Sequence, residues 1–569
     1  MKIRAKISLI KSSASIKQAM CVIQEQPHKA PDAPSGIVLV VDHRKKLLGI
    51  ATDGDIRRSL LAGASMEDRV SKIMNRRPIT FHKDLTPDEI LSKTITEINN
   101  RKIGNKRLDT IITVDDEGRP YDVFCFFELW KRSEVKTRVV SIIGLGYVGL
   151  TLGLMLAEAG FQVVGVDRNR ELVRELNRGQ LRVHEQGLDD LLRRHLKKKF
   201  FVKHNFKNND SDIYIVCVGT PINRKGKADY GHLQDALHYL TGVLKKGDLV
   251  TLRSTVSVGT CRKIVIPFLE RKTGLRAGED FYVSFAPERT AEGRALGELR
   301  ELPQVIGGLN KPSFDLTAKL FNNITSSIVS VENLESAELV KLLNNSYRDL
   351  TFAFANEVAL ICDGLHLNSK KVIQAANYGY DRSAIPYPSP GVGGYCLPKD
   401  SYLLVDSARK GKVRARLPRL SRQINEQMIE YVCGKVNDFV NQHNLQKSRV
   451  KIFVIGMAFK GEPETRDTRG STAVSIASRL AKTYPKLYAF DPVMNRKAIR
   501  DLGFRYASLQ QGIKGADCVL ILNNHKSYRD IPVRLFSSLM HKPAFLFDAW
   551  YILGELVAES IPDISYRGM

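Results

Sequence analysis

Arg138-Val139-Val140-Ser141-Ile142-Ile143-Gly144-Leu145-Gly146-Tyr147-Val148-Gly149 is the stretch that decides the fold. It opens as an apolar run of strand length, and the glycines that follow have GxGxxG spacing. An apolar helix over 150–159 stops at Gly160, and a second strand, Gln162-Val163-Val164-Gly165-Val166-Asp167, ends on an acid 18 positions past Gly149. Each part has a physical task. Glycines permit a tight turn and close backbone approach, the helix N-terminus receives a pyrophosphate, and the acid accepts hydrogen bonds from ribose hydroxyls. Gly144, Gly146, Tyr147, Val148, Gly149 and Asp167 are therefore assigned to a dinucleotide. Asp167 would repel a 2′-phosphate, which favours NAD, while Arg168 and Arg170 keep NADP open.

Further strands end in polar loops at Ile213-Tyr214-Ile215-Val216-Cys217-Val218-Gly219-Thr220-Pro221 and Leu249-Val250-Thr251-Leu252-Arg253-Ser254-Thr255. A doubly wound sheet presents such carboxyl ends to its ligand, so Thr220, Ser254 and Thr255 line the dinucleotide. Another strand, Tyr282-Val283-Ser284-Phe285-Ala286, runs into Pro287-Glu288-Arg289-Thr290-Ala291-Glu292-Gly293. Glu288 and Glu292, four apart beside the expected nicotinamide, suit acid–base work.

At 569 residues the chain exceeds what one core serves, and ~150 residues per domain implies three to four domains. Hydrophobic residues at 43% and charged residues at 26% describe a globular protein rather than a disordered one. No run of about 18 uncharged apolar residues occurs and no signal-like stretch follows Met1, so a cytoplasmic protein with no membrane span is expected. Eight scattered cysteines without a CxxC pair imply reduced thiols and no structural metal. The net charge of +26 is compatible with phosphate-bearing partners. Its short clusters, such as Arg193-Arg194-His195-Leu196-Lys197-Lys198-Lys199, read as a solvated helix face, not a nucleic-acid site.

Before residue 136 lies a different composition. Gly36-Ile37-Val38-Leu39-Val40-Val41-Asp42 and Lys45-Lys46-Leu47-Leu48-Gly49-Ile50-Ala51-Thr52 read as a hairpin, followed by a helix over 53–63. Asp109-Thr110-Ile111-Ile112-Thr113-Val114-Asp115 and a strand over 121–127 repeat the order about 75 residues on.

After residue 333 a helix is predicted over 334–363, ~45 Å long, with Gly364 as its stop. Its apolar positions Leu339, Leu342, Leu343, Tyr347, Leu350, Phe354, Val358 and Ile361 suit a shared core or a dimer contact. Lys341 and Asn345 share a face at i and i+4. The chain then reaches Gly391-Val392-Gly393-Gly394-Tyr395-Cys396-Leu397-Pro398-Lys399-Asp400. Gly393 and its neighbours allow close approach to a ligand, and Pro398 is expected to forbid a helix and hold the sulfur in a fixed loop. The thiol is either a nucleophile beside Lys399 and Asp400 or an ordinary buried cysteine. From 448 onward a second open α/β sheet is expected, starting at Arg449-Val450-Lys451-Ile452-Phe453-Val454-Ile455-Gly456. It lacks GxGxxG, so no second NAD is expected there.

Over residues 138–569 the ordered elements GLGYVG, VGTP, RSTV, PERTAEG, GVGGYCLPKD and AFKG resemble the UDP-glucose/GDP-mannose dehydrogenase family of NAD-dependent nucleotide-sugar dehydrogenases. The resemblance implies an α/β fold of two Rossmann-like doubly wound sheets joined by the long helix. The expected parts are an NAD-binding domain at 136–332, a central dimerisation and catalytic domain at 333–447, and a UDP-sugar-binding domain at 448–569. It also implies a four-electron oxidation of a UDP-sugar C6 hydroxyl with two NAD. Cys396 would be the nucleophile, Lys341 and Asn345 the oxyanion donors, Asp400 the group orienting water and Glu288 the base. Arg382, Phe459 and Lys460 would hold substrate, and Arg469 and Glu292 would reach the cofactor.

The duplicated unit at 1–135 resembles a CBS-domain pair, a small α+β module in which a Thr and an Asp, matching Thr52 and Asp55, would hold an adenine nucleotide. The second copy has Phe and Cys where the Thr should be, so one competent site at most is implied. A regulatory role and a structural one both stay open. The rival readings are a two-electron hydroxyacid dehydrogenase, which needs Lys341 and Asn345 but no thiol, and a non-catalytic nucleotide sensor.

Overall fold

The computed structural model describes residues 8–29, 36–85, 89–90, 93, 110–125, 138–183, 185–205, 211–223, 226–380, 382, 384–554, 561 and 563–569. Contacts divide the chain into two units, Met1–Thr137 and Arg138–Met569.

In the first unit β1 (Leu9–Lys11) pairs in parallel with β2 (Ile37–Val41), which is antiparallel to β3 (Leu47–Thr52). The pattern returns in β4 (Thr80–His82), β5 (Thr110–Val114) and β6 (Pro120–Cys125), parallel then antiparallel. Both hairpins shift register at equivalent places, between Val40 and Val41 and between Thr113 and Val114. Ile37, Leu39 and Ile50 share a core with Ile112 and Val123, so the β-branched faces of the two sheets bury each other. Helices α1 (Ile16–Lys29) and α2 (Asp53–Leu61) cover the first sheet through Ile16, Ala19 and Ile56. Side chains at 124–125 and residues 126–127 lie outside the description, and with them the Phe and Cys of the second copy.

The second unit holds two larger sheets. The first contains β7 (Val139–Ile143), β8 (Gln162–Val166), β9 (Phe200–Lys203), β10 (Ile213–Val216), β11 (Leu249–Leu252), β12 (Tyr282–Phe285), β13 (Gln304–Gly308) and β14 (Ile328–Val331). Its order is β14-β13-β12-β11-β10-β7-β8-β9, parallel except between β12 and β13. The strands from β7 to β12 thus follow the doubly wound 3-2-1-4-5-6 order, with its switch point between β7 and β10. The inner strands β7, β8, β10, β11, β12 and β13 are buried nearly throughout, as parallel strands covered by helices must be, whereas the edge strands β9 and β14 are not.

The second sheet repeats that order in β17-β16-β15-β18-β19-β20, all parallel. Its strands are β15 (Lys451–Ile455), β16 (Lys486–Phe490), β17 (Arg505–Tyr506), β18 (Cys518–Ile521), β19 (Ala544–Asp548) and β20 (Ile564–Gly568).

Between the sheets run three helices, numbered here after α3 (Tyr147–Glu158): α4 (Leu334–Gly364), α5 (Leu397–Lys410) and α6 (Leu417–Gln442). Asn333 caps α4 by accepting the Ser336 N–H. Two expectations are corrected here. Gly364 does not stop α4; the helix includes it and turns off through Leu365 and the left-handed His366, φ 56°. Pro398 does not forbid a helix. It occupies the second position of α5, where its missing N–H has no intrahelical partner to lose. Along α4, Leu342 is buried, whereas Leu343, Tyr347, Phe354 and Ile361 stand exposed in a stripe. Among the described residues no helix is long and apolar enough to cross a membrane.

Candidate active site

The GxGxxG turn is built as its chemistry requires. Gly144 is left-handed at φ 93°, and a Cβ on Gly149 would fall 1.9 Å from the Gly144 carbonyl oxygen, so both positions need glycine. Gly146 differs: a Cβ there would meet nothing in the protein, at the N-cap of α3, which has no side-chain cap. The open space lies before free backbone N–H groups at a helix N-terminus, which suits a pyrophosphate. Val148 sits half-buried in the first turn. Asp167 accepts the Leu145 N–H at 2.8 Å and the Asn169 N–H at 2.8 Å, fixing its carboxylate beside the turn.

Thr220 is buried, and its hydroxyl has no hydrogen-bond partner in the protein. Such an orphan at the switch point is satisfied by a ligand. Together, the open Gly146 and the orphan Thr220 hydroxyl fit NAD. Arg168 is turned to Asp235 and His232, at 2.8 and 2.7 Å, and Arg170 to His204.

Two of the assigned residues carry hydrogen bonds within the protein. The Ser254 hydroxyl donates to the Val216 carbonyl at 3.3 Å, and Tyr147 donates its hydroxyl to buried Glu185, which also accepts the Gly293 and Ala295 N–H groups. Thr255 is half-buried.

Cys396 is the N-cap of α5, its carbonyl accepting from the Lys399 and Asp400 N–H groups at 3.2 and 3.0 Å. Asp400 is sealed between two donors: Asn345 Nδ2 is 2.5 Å from Oδ2 and Lys399 Nζ 2.6 Å from Oδ1. Lys341, one turn before Asn345 on α4, is likewise buried. Cys396 itself is solvent-exposed although protein atoms crowd it, the combination of a recess open on one side. That crowding pushes the thiol pKa up, and Asp400 does the same, against Lys341, Lys399 and Arg469, which pull it down. The resting group is the thiol.

The glycines before it are explained by packing. A Cβ on Gly393 would come 2.7 Å from the Gly470 carbonyl, and one on Gly394, at φ 90°, 3.0 Å from the Phe459 ring. Phe459 and Gly470 thereby fix the thiol loop to the second sheet. Tyr395 fixes it to the first: its ring lies 4.9 Å from the Arg469 guanidinium and 5.7 Å from Lys399 Nζ. Its hydroxyl abuts Gly219, where a Cβ would be 2.4 Å away. Arg469 is also paired with Asp467 at 2.6 Å.

Glu288 and Glu292 have opposite environments. Burial works to raise Glu288, but the Arg253 guanidinium 2.5 Å away, the Thr290 N–H and the Lys341 charge overcome it and hold the carboxylate below its usual range. Glu292 is pushed up by burial despite a hydrogen bond from Thr465 at 2.7 Å, and its carbonyl accepts from Lys460 Nζ at 2.6 Å. Arg382 is exposed, 5.9 Å over the Tyr380 ring. In the first unit, Thr52 and Asp55 form the capping box of α2, and Asp55 also takes Arg58 at 2.5 Å.

Sequence reasoning missed Lys399 as a clamp on Asp400, Tyr395 as the bridge between sheets, and Arg253, whose guanidinium also reaches Gln304 Oε1 at 2.9 Å and the Ala286 carbonyl at 3.0 Å. Only the sequence adjacency of Tyr395 and Lys399 to the thiol pointed to them.

Family models for the NAD binding, central and UDP binding domains of the UDP-glucose/GDP-mannose dehydrogenases match residues 138–325, 335–427 and 453–555. The chain belongs to the UDP-glucose/GDP-mannose dehydrogenase family. It is an NAD-dependent oxidoreductase with a UDP-sugar-binding domain. It is 33% identical to a UDP-N-acetyl-D-mannosamine dehydrogenase of Pyrococcus horikoshii over 69% of this chain and 90% of that one. To an NDP-N-acetyl-D-galactosaminuronic acid dehydrogenase of Ralstonia nicotianae it is 29% identical, over 70% and 93%. The solved structure of the UDP-D-ManNAc dehydrogenase from Pyrococcus horikoshii superposes with a TM-score of 0.69 at 32% identity, covering 76% of this chain and 98% of that one. As a member of this family, the chain carries residues 1–137 in addition to the three matched domains.

Proposed function

We propose that the chain is a UDP-sugar 6-dehydrogenase carrying out a four-electron oxidation of a C6 hydroxyl to a carboxylate, with UDP-N-acetyl-D-mannosamine as its first candidate substrate. The observation that carries the chemistry is Cys396 at the head of α5, accessible and within electrostatic reach of Lys341 and of Asp400, the carboxylate that Asn345 holds. The choice of sugar rests on the named relatives, and UDP-glucose or another UDP-N-acetylhexosamine is the alternative within the same chemistry.

Bound NAD supplies a hydride acceptor, used twice with exchange between the steps. The rest falls to the chain. After the first oxidation Cys396 Sγ adds to the C6 aldehyde, its proton leaving through the open side of the recess, and the resulting thiohemiacetal carries the hydrogen that a bare aldehyde could not release as hydride. Loss of that hydride gives a thioester, and water then breaks the C–S bond to yield the carboxylate and the free thiol. Lys341 and Asn345 hold the developing oxyanions, worth ~3 kcal/mol per donor. Asp400 orients the water. Glu288, kept ionised by Arg253, is the second carboxylate for that step, acting by holding the water more than by storing its proton. Phe459 and Lys460 serve the UDP half, Arg469 and Glu292 the cofactor side, and Arg382 the substrate of a partner subunit.

The exposed stripe Leu343, Tyr347, Phe354 and Ile361 supports a homodimer built on α4, since apolar faces of that extent mark interfaces. The matched hairpins of the first unit support reading it as a CBS-domain pair. Thr52 and Asp55 would then offer an adenine nucleotide the end of a helix they already cap.

NADH production across UDP-N-acetyl-D-mannosamine, UDP-N-acetylglucosamine, UDP-glucose and GDP-mannose, each with and without AMP and ATP, tests the reading. Turnover of a UDP-sugar is expected; turnover of none of the four would remove it. An adenine-nucleotide effect lost in Asp55→Ala would support the regulatory role, and none at all would leave the module structural.

A further inference from the structure

The first three basic residues of the run at 193–199 find carboxylates: Arg193 pairs with Asp190, and Arg194 and His195 with Glu158, while Lys199 donates to the Gly160 carbonyl. The segment Arg409-Lys410-Gly411-Lys412-Val413-Arg414-Ala415-Arg416-Leu417-Pro418-Arg419, which links α5 to α6, is different. It contains six cations and no acid. Among the described residues Lys410 alone of the six has a carboxylate partner, Asp406 at 3.3 Å. Like charges this close repel one another, and that repulsion is relieved by an anion.

The segment also borders a formed space. Two adjoining cavities of about 290 Å³ each share Val405, Arg409 and Arg419 as walls. The first is completed by Ile222, Asn223 and Gly226 from the loop after β10 and by Tyr402 and Asp406 of α5, the Asp406 carboxylate being taken up by Lys410 at 3.3 Å and the Ser257 hydroxyl at 3.0 Å. Gly226 is left-handed at φ 71°, and a Cβ there would lie 3.1 Å from the Tyr402 ring, so that loop can approach so closely only through glycine. The Tyr402 wall is fixed. Its hydroxyl donates to Glu426 at 3.1 Å, Glu426 accepts Arg422 at 3.3 Å, and buried Arg422 is anchored on Asp349 at 2.7 Å. A wall held this way costs a ligand little to order.

We propose that this recess binds a phosphate-bearing anion, with Arg409 and Arg419 as its charged clamp and Tyr402 as its rigid side. Guanidinium forks match phosphate oxygens two at a time, and the paired cavities have room for a polyphosphate chain rather than a single phosphate. The site is separate from the thiol: Arg409 lies thirteen residues along α5 from Cys396, about 20 Å at 1.5 Å per residue. It does not depend on which sugar the enzyme oxidises.

The test is calorimetric titration of the full-length protein with inorganic tripolyphosphate, in saturating NAD and UDP so that those sites are filled. One further site is expected, weakened at least tenfold in Arg409→Ala/Arg419→Ala and unchanged in Lys482→Ala/Lys497→Ala, which removes the same charge from exposed positions elsewhere. Equal weakening in both double variants would reduce the effect to bulk charge and overturn the proposal, as would no binding beyond the filled sites. Sedimentation with phosphatidylglycerol vesicles distinguishes the source of the phosphate. Vesicle binding that requires Arg409 and Arg419, without tripolyphosphate binding, would assign the recess to a lipid surface and overturn the soluble anion.

Discussion

Asn345 on α4 and Asp400 on α5 meet at 2.5 Å, and Lys399 takes the other oxygen of the same fully buried carboxylate at 2.6 Å. A buried carboxylate held by one donor on each oxygen depends on both partners. Asp400→Asn is expected to lower kcat by about 10²-fold or more, the range for removing a group that handles a proton or water. It is also expected to cost roughly 3–5 kcal/mol of stability, because Lys399 is left as an unpaired buried charge. Adding Lys399→Met should recover much of the stability and none of the activity, measured by denaturant unfolding and steady-state kinetics. Recovery of both would mean the carboxylate serves only to balance Lys399.

Thr220 gives a prediction of opposite sign for the free and the loaded protein. Its buried hydroxyl has no partner, so Thr220→Val removes an unsatisfied group and should leave the NAD-free protein as stable as before or slightly more so. NAD affinity should fall by about 2- to 10-fold, corresponding to one hydrogen bond of ~0.5–1.5 kcal/mol. Thermal unfolding with and without NAD reads both effects.

Gly146 and Gly149 separate binding from folding. At Gly146 a methyl group meets no protein atom, so Gly146→Ala should leave Tm within about 2 °C while weakening NAD at least tenfold by filling the pyrophosphate's approach. Gly149→Ala places its Cβ 1.9 Å from the Gly144 carbonyl oxygen and should lower Tm strongly. Equal loss of stability in both variants would show that the turn, not the ligand, selects glycine at 146.

Glu338, one turn before Lys341, is buried and accepts the Cys261 and Gly259 N–H groups at 2.8 and 2.5 Å. Burial outweighs those bonds and, with Glu335 nearby, pushes its carboxyl to about 7 from an ordinary 4.5. The folded state therefore favours the protonated acid. The stability from this group is fully present below pH 4.5 and is lost as pH rises towards 7, by roughly 3 kcal/mol at 1.36 kcal/mol per pKa unit. Glu338→Gln should flatten that slope in unfolding measurements between pH 4.5 and 7.5; an unchanged slope would place the titration elsewhere.

Much of the fold was legible because parallel strands must be apolar on both faces and must end in ligand loops, so β7, β8, β10, β11, β12 and β15 announced themselves by composition, whereas β9, four residues with alternate positions half-buried, and the two-residue β17 did not. The head of α5 was not. A proline reads as a helix breaker, and only the structure shows Pro398 in the first turn, the one place where a helix tolerates it. Likewise Gly364 resembles a stop, yet His366 supplies the left-handed turn. At the site, Lys341, Asn345, Cys396 and Asp400 were found by spacing and family pattern. Tyr395 and Arg253 act through Gly219 and Gln304, far away in sequence, and no local pattern encodes such contacts.

The measurement that bears most directly on the proposed chemistry is the number of NADH formed per UDP-N-acetyl-D-mannosamine consumed, by wild type and by Cys396→Ser, with the unfolding of both variants checked in parallel. Two NADH per sugar are expected from the wild type, with turnover abolished or reduced to a trace in Cys396→Ser, since a serine ester hydrolyses too slowly to release product. One NADH per sugar, with full activity retained by Cys396→Ser, would contradict the thioester route.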